Sequence, residues 1–597
     1  MCFGVVHLMT FDSVRIRSLL AITFLLAGIY FSPNARGISE TGFTINNQRA
    51  DSATFYDWDY AVHSVNKLIF VVTNTGGLAW GVGNESTDLF QGYSGYNGTE
   101  YPKGTGLSQI GVLSVWVGAS RDGEAGVSTG YDYALDYHQE LGPPGGASGT
   151  ISYRSIIDPT SSAYQGAISE EDYYCTYADT FPSQSYQWVG NDEVSHRPHT
   201  PLGIEISQSS HAWSYGYIED IVFLDFSVKN IGSLPLRRAY FGLMGSASHG
   251  TGGNLIDDNV CGIFESAPTP YFPTQCQSDF PIEVMWTSDA DGDPHNGVFT
   301  NIPYQIDYGS QTITLKSNRH ASGIEFVSAS GELDFITTSF NWWNYIAFDP
   351  SRDYGPQLKE SVHTFAKDNY GTPHGDEGRY YMMQNGEHDF PSVYTPTIPE
   401  YDLVWTKTKQ TLGNNIADGT WINYLYSLGP FDIDQGESID IVVAIVAGEN
   451  FHLYPNNGDN LPYNPQQWMK NVDFSDLAKN ALWAQWVYDN PGVDTDGDGY
   501  RGEYHACVTD SQLINGQWTV AKAETTYYRG DGIPDWKGAS APPAPKVWVE
   551  PLLNGVRVRW NGSRSEGEKD PFLQAVDFEG YHVYFGRDNR EASLQLI

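Results

Sequence analysis

Two acidic stretches in this chain of 597 residues place carboxylates at alternate positions. In 493–505, VDTDGDGYRGEYH, Asp494, Asp496 and Asp498 fall at loop positions 1, 3 and 5, with Gly499 at position 6. In 288–297, SDADGDPHNG, Asp289, Asp291 and Asp293 repeat the spacing, with Pro294 where the glycine would stand. Like charges this close repel. A hard cation turns that repulsion into binding: Ca2+ takes about six to eight oxygen ligands, and a short loop supplies several from alternate residues. Tyr500, at position 7, offers a backbone carbonyl. Position 12 is His505, not an acid, so Glu503 or the second acidic turn, GDGIPD at 530–535 with Asp531 and Asp535, has to complete the set. Asp257 and Asp258 join the 289–293 group only if the fold brings them there. The competing reading of each stretch is a solvated acidic turn, and the proline makes it the simpler one for 288–297.

Other stretches carry weaker chemistry. GVSTG (126–130) matches G-x-S-x-G, but a nucleophile at Ser128 needs an apolar strand before it and a helix after it. SRDGEA and YDYALDY stand there instead. HGDEGRYYMMQNGEHD (374–389) gathers His374, Asp376, Glu377, Glu387, His388 and Asp389 without the spacing of a zinc motif, and reads as a solvated, glycine-rich loop. The RGD tripeptide at 529–531 is better explained by a cation at Asp531. The aromatic runs NWWNY (341–345) and SSHAWSYGY (209–217) can stack on sugar rings or pack a core.

The elements that position these residues are strands. Aromatics make up 14% of the chain and glycine occurs 62 times, the mix of an all-β protein with long loops. Asp and Glu number 72 against 33 Lys and Arg, a net charge of −39. That excludes nucleic acid and anionic membrane surfaces as partners, since both need cationic side chains. Arg15 and Arg17 precede the apolar run 18–31, SLLAITFLLAGIYF, and Ala35 and Gly37 fit a cleavage site. The run is short for a span but suits an export signal, so the mature chain is expected to begin near Ile38, with Met9 as an alternative start and no transmembrane span. Export leaves Cys175, Cys261, Cys276 and Cys507. Three pairings are open, a local Cys261–Cys276 bridge among them.

In IVFLDFSVKN (221–230), Val222, Leu224, Phe226 and Val228 alternate with polar residues, Phe223 excepted, as in a strand with one buried face. LIFVVTNTGG (68–77) ends with a similar Val-polar-Asn-x-Gly pattern. SVKNIGSLPLRRAYFGL and DIDQGESIDIVVAIV together resemble strands of immunoglobulin-like sandwiches of bacterial surface proteins. About 200 residues separate the two, which implies large insertions. FSDLAKNALWAQWVYDNPG (474–492) reads as a helix, capped by Ser475 and stopped by Asn490-Pro491-Gly492. The loop it feeds resembles the calcium loop of dockerins and EF-hands, and the GDGIPD turn resembles half of a thrombospondin type 3 repeat. APPAPKVWVEP, GVRVRW and DFEGYHVYFG resemble the opening strands of a fibronectin type III domain, about half of one.

The expected fold is mainly β: multidomain antiparallel β-sandwiches with long loop insertions and one short helix before a calcium-binding loop. The expected divisions are a signal peptide (1–37), an N-terminal β domain (38–200), an immunoglobulin-like sandwich (201–450), a loop and helix (451–490), the acidic region (491–540) and a partial fibronectin type III domain (541–597). The resemblance implies a secreted, calcium-stabilised surface protein with a structural or adhesive role, with extracellular glycans or surface proteins as partners. A carbohydrate-active protein is the alternative.

Overall fold

The computed structural model describes residues 59–79, 99–131, 139–143, 150–180, 191–251, 254–255, 258–265, 282–308, 311–330, 336–344, 352–365, 371–538, 545–553, 555–563 and 565–567, with scattered positions up to 596. The export-signal segment, Asp257 and Cys276 lie outside them.

The long strands are β1 (Leu107–Arg121), β2 (Glu171–Asp179), β3 (Ile204–Ala212), β4 (Ile221–Asn230), β5 (Leu236–Thr251), β6 (Asn259–Phe264), β7 (Val284–Asp289), β8 (Ala321–Ala329), β9 (Thr337–Trp343), β10 (Asn423–Ile433) and β11 (Ser438–Gly448). One sheet runs β1-β5-β10-β9, extended beyond β1 by short strands from residues 60–78. The other runs β6-β7-β8-β11-β4-β3-β2, with Ser152–Arg154 at its far edge. Every ladder in both is antiparallel. The fold is mainly β, as composition requires. Pairing of β1 with β5, and of β2 with β3, carries hydrogen bonds across residue 200 in both sheets, so 60–448 shares one sandwich.

The alternation in β4 decides which face goes where. Val222, Leu224, Phe226 and Val228 enter the core between the sheets, against Val115, Val117, Phe241, Leu243 and Tyr426 of the opposite sheet. Phe226 meets Phe241 at 5.0 Å between ring centroids. Phe223 points the other way and is equally buried. A helical layer covers that outer face: α4 (Ser475–Tyr488) lays Leu477, Ala481, Leu482 and Ala484 on Val442, Ala444 and Val446 of β11. Each fully buried Leu there contributes about 2 kcal/mol of transfer free energy. Burial on both faces is why β11 reads as a continuous apolar run rather than an alternation. Further short helices are α1 (Gly375–Gln384), α2 (Gln410–Ala417) and α3 (Pro465–Asn471). α1 corrects the loop expected at 374–389: Tyr380, Met382 and Met383 cover Trp116, Met244 and Leu425 on the outer face of the first sheet.

Ser475, expected to cap α4, is instead its first residue: the N-cap is Phe474, which makes no side-chain cap, and Ser475 N donates to Asp473 Oδ1 at 2.9 Å. After α4 the acidic loop leads to the hairpin Tyr504–Ile514 with Gln517–Tyr527, and the chain then returns. Asp535 N and Trp536 N donate to Tyr488 O at 2.8 and 3.3 Å, and the Trp536 ring lies 5.3 Å from Phe223 and 5.0 Å from His211. Lys546–Leu552 pairs with Gly555–Asn561 as a further hairpin. Cys175 and Cys261 are buried free thiols, and burial pushes Cys175 up to about 12. Among the described residues no helix is long and apolar enough to cross a membrane.

Candidate metal centres

β7 ends at Asp289, and the chain turns at once. Gly292 (φ +80°) and Asp293 (φ +54°) take left-handed backbone, so the turn is complete before Pro294. Asp289 Oδ1 accepts Asp291 N at 2.8 Å and Gly292 N at 2.5 Å, and Asp291 Oδ1 accepts Asp293 N at 2.7 Å. The loop carbonyls are taken by groups from distant elements. His452 Nε2 approaches Asp289 O at 2.9 Å, and Trp468 Nε1 donates to Ala290 O at 2.7 Å. Tyr304 Oη and Ser317 Oγ donate to Asp293 O at 2.9 and 2.7 Å.

Carboxylates are thus left to face inward. Asp258, just ahead of β6, joins Asp289, Asp291 and Asp293, and one ligand oxygen of each lies within 4.8 Å of all the others. Asp289 is fully buried and Asp293 is 6% exposed, yet Asp289 Oδ2 and Asp293 Oδ2 have no hydrogen-bond partner. Burial, then Asp258 and Asp291, pushes Asp289 well above the usual carboxylate range; burial, then Asp289 and Asp291, does the same to Asp293. Two ionised carboxylates within 4.8 Å repel by at least roughly 3 kcal/mol at an effective dielectric near 20. Ca2+ holds its oxygen ligands at about 2.3–2.6 Å, so four oxygens within 4.8 Å of one another can all reach one such ion. The sequence spacing flagged three of these residues. Asp258 lies 31 positions before Asp289 and reaches the group because Asn259 pairs with Asp289 across the β6–β7 ladder.

The second acidic loop is more open. Asp494, Asp496 and Asp531 bring one oxygen each within 4.8 Å of one another. Asp498, expected among the ligands, lies outside this group and its Oδ1 accepts Tyr500 N at 2.7 Å instead. Glu503 turns elsewhere: its Oε2 accepts the Tyr528 hydroxyl at 2.5 Å and its Oε1 lies 3.7 Å from Arg529. Asp535 ties the loop to the helix end, accepting Thr495 Oγ1 at 3.0 Å and Asn490 N at 2.9 Å. The Tyr500 side chain is exposed. Asp489, not singled out by spacing, borders the group; burial, with Asp531 and Asp535 adding to it, pushes its carboxyl up to about 6.

Most of the remaining candidates resolve into packing. Ser128 sits buried in the strand Glu124–Thr129 and donates to Asp179 Oδ2 at 2.5 Å, with no strand-to-helix elbow. His199 lies between Asp179 and Glu140, at 2.9 Å from each. The residues of 374–389 disperse: His374 pairs with Glu193, Asp389 accepts Trp342 N, and His388 stands with Glu265 and Glu283 in a third group whose ligand atoms lie within 4.8 Å of one another. Trp213, Trp342 and Trp343 are core residues.

A scan against protein-family models and a search of curated proteins gave no match. Among solved structures, the chain is similar to a protein described as an aldose 1-epimerase from Escherichia coli K12, at 10% identity over 65% of this chain and 99% of that one, with a TM-score of 0.21. A likeness of that size carries neither a fold nor an activity across.

Proposed function

We propose that this chain is a secreted, calcium-stabilised β-sandwich protein with a structural or adhesive role outside the cell or at its surface. The observation that carries the proposal is the enclosed group of Asp258, Asp289, Asp291 and Asp293, with two buried carboxylate oxygens lacking any partner. A buried carboxylate keeps its charge only when it is paired or bound to a metal. A cation here joins the start of β6, the end of β7 and, through the carbonyl contacts, the segment around His452 and α3. It acts as a staple across elements distant in sequence. The export-signal pattern and the acidic composition support an extracellular setting. The aromatic runs that a sugar-binding reading would use are mostly packed in the core.

Calorimetric titration of chelator-stripped protein tests the proposal. Calcium is expected to bind and to raise the sandwich's unfolding free energy by about 2.7 kcal/mol when 100-fold above Kd. No heat of binding and no shift would overturn it. N-terminal sequencing of exported protein is expected to begin near Ile38; an intact leader on exported protein would overturn that part.

A further inference from the structure

We infer that Asp418 and Asp459, which stand outside the four-carboxylate group, form the charged mouth through which a divalent cation enters the buried centre. The inference rests on the calcium reading of that centre. Asp289 and Asp293 are closed off from solvent, whereas Asp258 and Asp291 are half-buried, so the approach runs past those two. Asp418 and Asp459 are both exposed.

Their placement follows from two close approaches. Asp418 is the C-cap of α2, and the next residue is Gly419 (φ +101°). A Cβ on Gly419 would lie 2.5 Å from Asp258 Cα. Thr420 and Asn259 then exchange N–H···O bonds of 3.1 Å, which hold the turn against β6. Asp459 follows Gly458, where a Cβ would lie 2.5 Å from Asp291 Cβ. Each rim carboxylate is therefore one residue from a glycine pressed against a ligand residue. Two unrelated segments each hold a negative charge beside the same centre. Solvated carboxylates at a rim concentrate counter-ions and speed capture, and salt screens the effect. The rim pair thus governs how fast the ion arrives, and the buried four govern how long it stays.

Tb3+ is a suitable probe, because the Trp468 and Tyr304 rings hydrogen-bond to the carbonyls of Ala290 and Asp293 and can sensitise its luminescence. The full chain carries Asp496→Ala to weaken the other acidic loop. Stopped-flow mixing gives association, and a chelator chase gives dissociation. Asp418→Asn with Asp459→Asn is expected to slow association about tenfold at low ionic strength and much less at about 0.5 M salt, with dissociation unchanged. Unchanged association, or a faster dissociation that would make the pair ligands, overturns the inference. Absence of sensitised luminescence before the rim is altered would instead overturn the calcium reading itself.

Discussion

Asp289 accepts two backbone N–H groups on Oδ1 and has no partner on Oδ2, in a position with no solvent exposure. The same side chain is therefore a cost without a cation and a ligand with one. Asp289→Asn keeps the shape and removes one charge. In chelator the variant is expected to be more stable than the parent, by about 1–2 kcal/mol, since like-charge repulsion is relieved. With calcium saturating the parent, the order is expected to reverse. Urea unfolding under both conditions reads the crossing, and an equal loss of stability in both would mean that Asp289 has no role with a metal. Neighbouring candidates show how little residue type alone says. Ser128 fits a nucleophile pattern and is a buried hydrogen-bond donor; His388 lies in a stretch without a metal-motif spacing, yet stands beside Glu265 and Glu283.

At the scale of elements, the centre depends on loops that touch. Gly458 sits where a methyl group would meet Asp291 Cβ. Gly458→Ala changes no charge, yet is expected to displace Asp291 and weaken calcium binding about tenfold, the equivalent of about 1.4 kcal/mol. Calorimetric titration checks this, and unchanged affinity would show that the 458–460 turn yields freely. The arm after α4 is held differently. Trp536 anchors it through Phe223, His211 and Tyr488. Trp536→Ala is expected to remove about 2 kcal/mol of local docking and open 491–538 to protease while the sandwich stays folded. Cleavage at the parent rate would place the anchor in the Asp535 and Asn490 hydrogen bonds instead. These elements were partly legible: the i, i+4 stripe of Ala478, Leu482 and Trp486 exposed α4, whereas α1 was hidden by its glycines and acids, because its helicity comes from the Trp116 and Met244 surface it covers.

For the whole molecule, one buried ion network sets an alkaline limit. Against burial, Glu140 and Asp179 hold the His199 imidazolium up to about 11, above its unfolded value of about 6.5. A raised folded value means stability that is complete below about 6.5 and lost as pH rises toward 11. The unfolding free energy is expected to fall by about 1.4 kcal/mol per pH unit between roughly pH 7.5 and 9.5. Urea titrations across that window check it, and a flat profile would place His199 in the neutral form. By itself, the sequence determined the β composition, the inward set of β4, the helix before the acidic loop and three of four carboxylates at the enclosed centre. Each of these is written in spacing along the chain, through the two-residue period of a strand, the 3.6-residue period of a helix and the alternate positions of a loop. Only the tertiary structure decided that Phe223 is buried, that Asp258 joins Asp289 while Asp498 and Glu503 turn away, and that the carboxylate oxygens are sealed from water. Burial and convergence depend on what other segments lay over a residue, here β6, the 451–460 segment, α3 and α4, and that information has no local period.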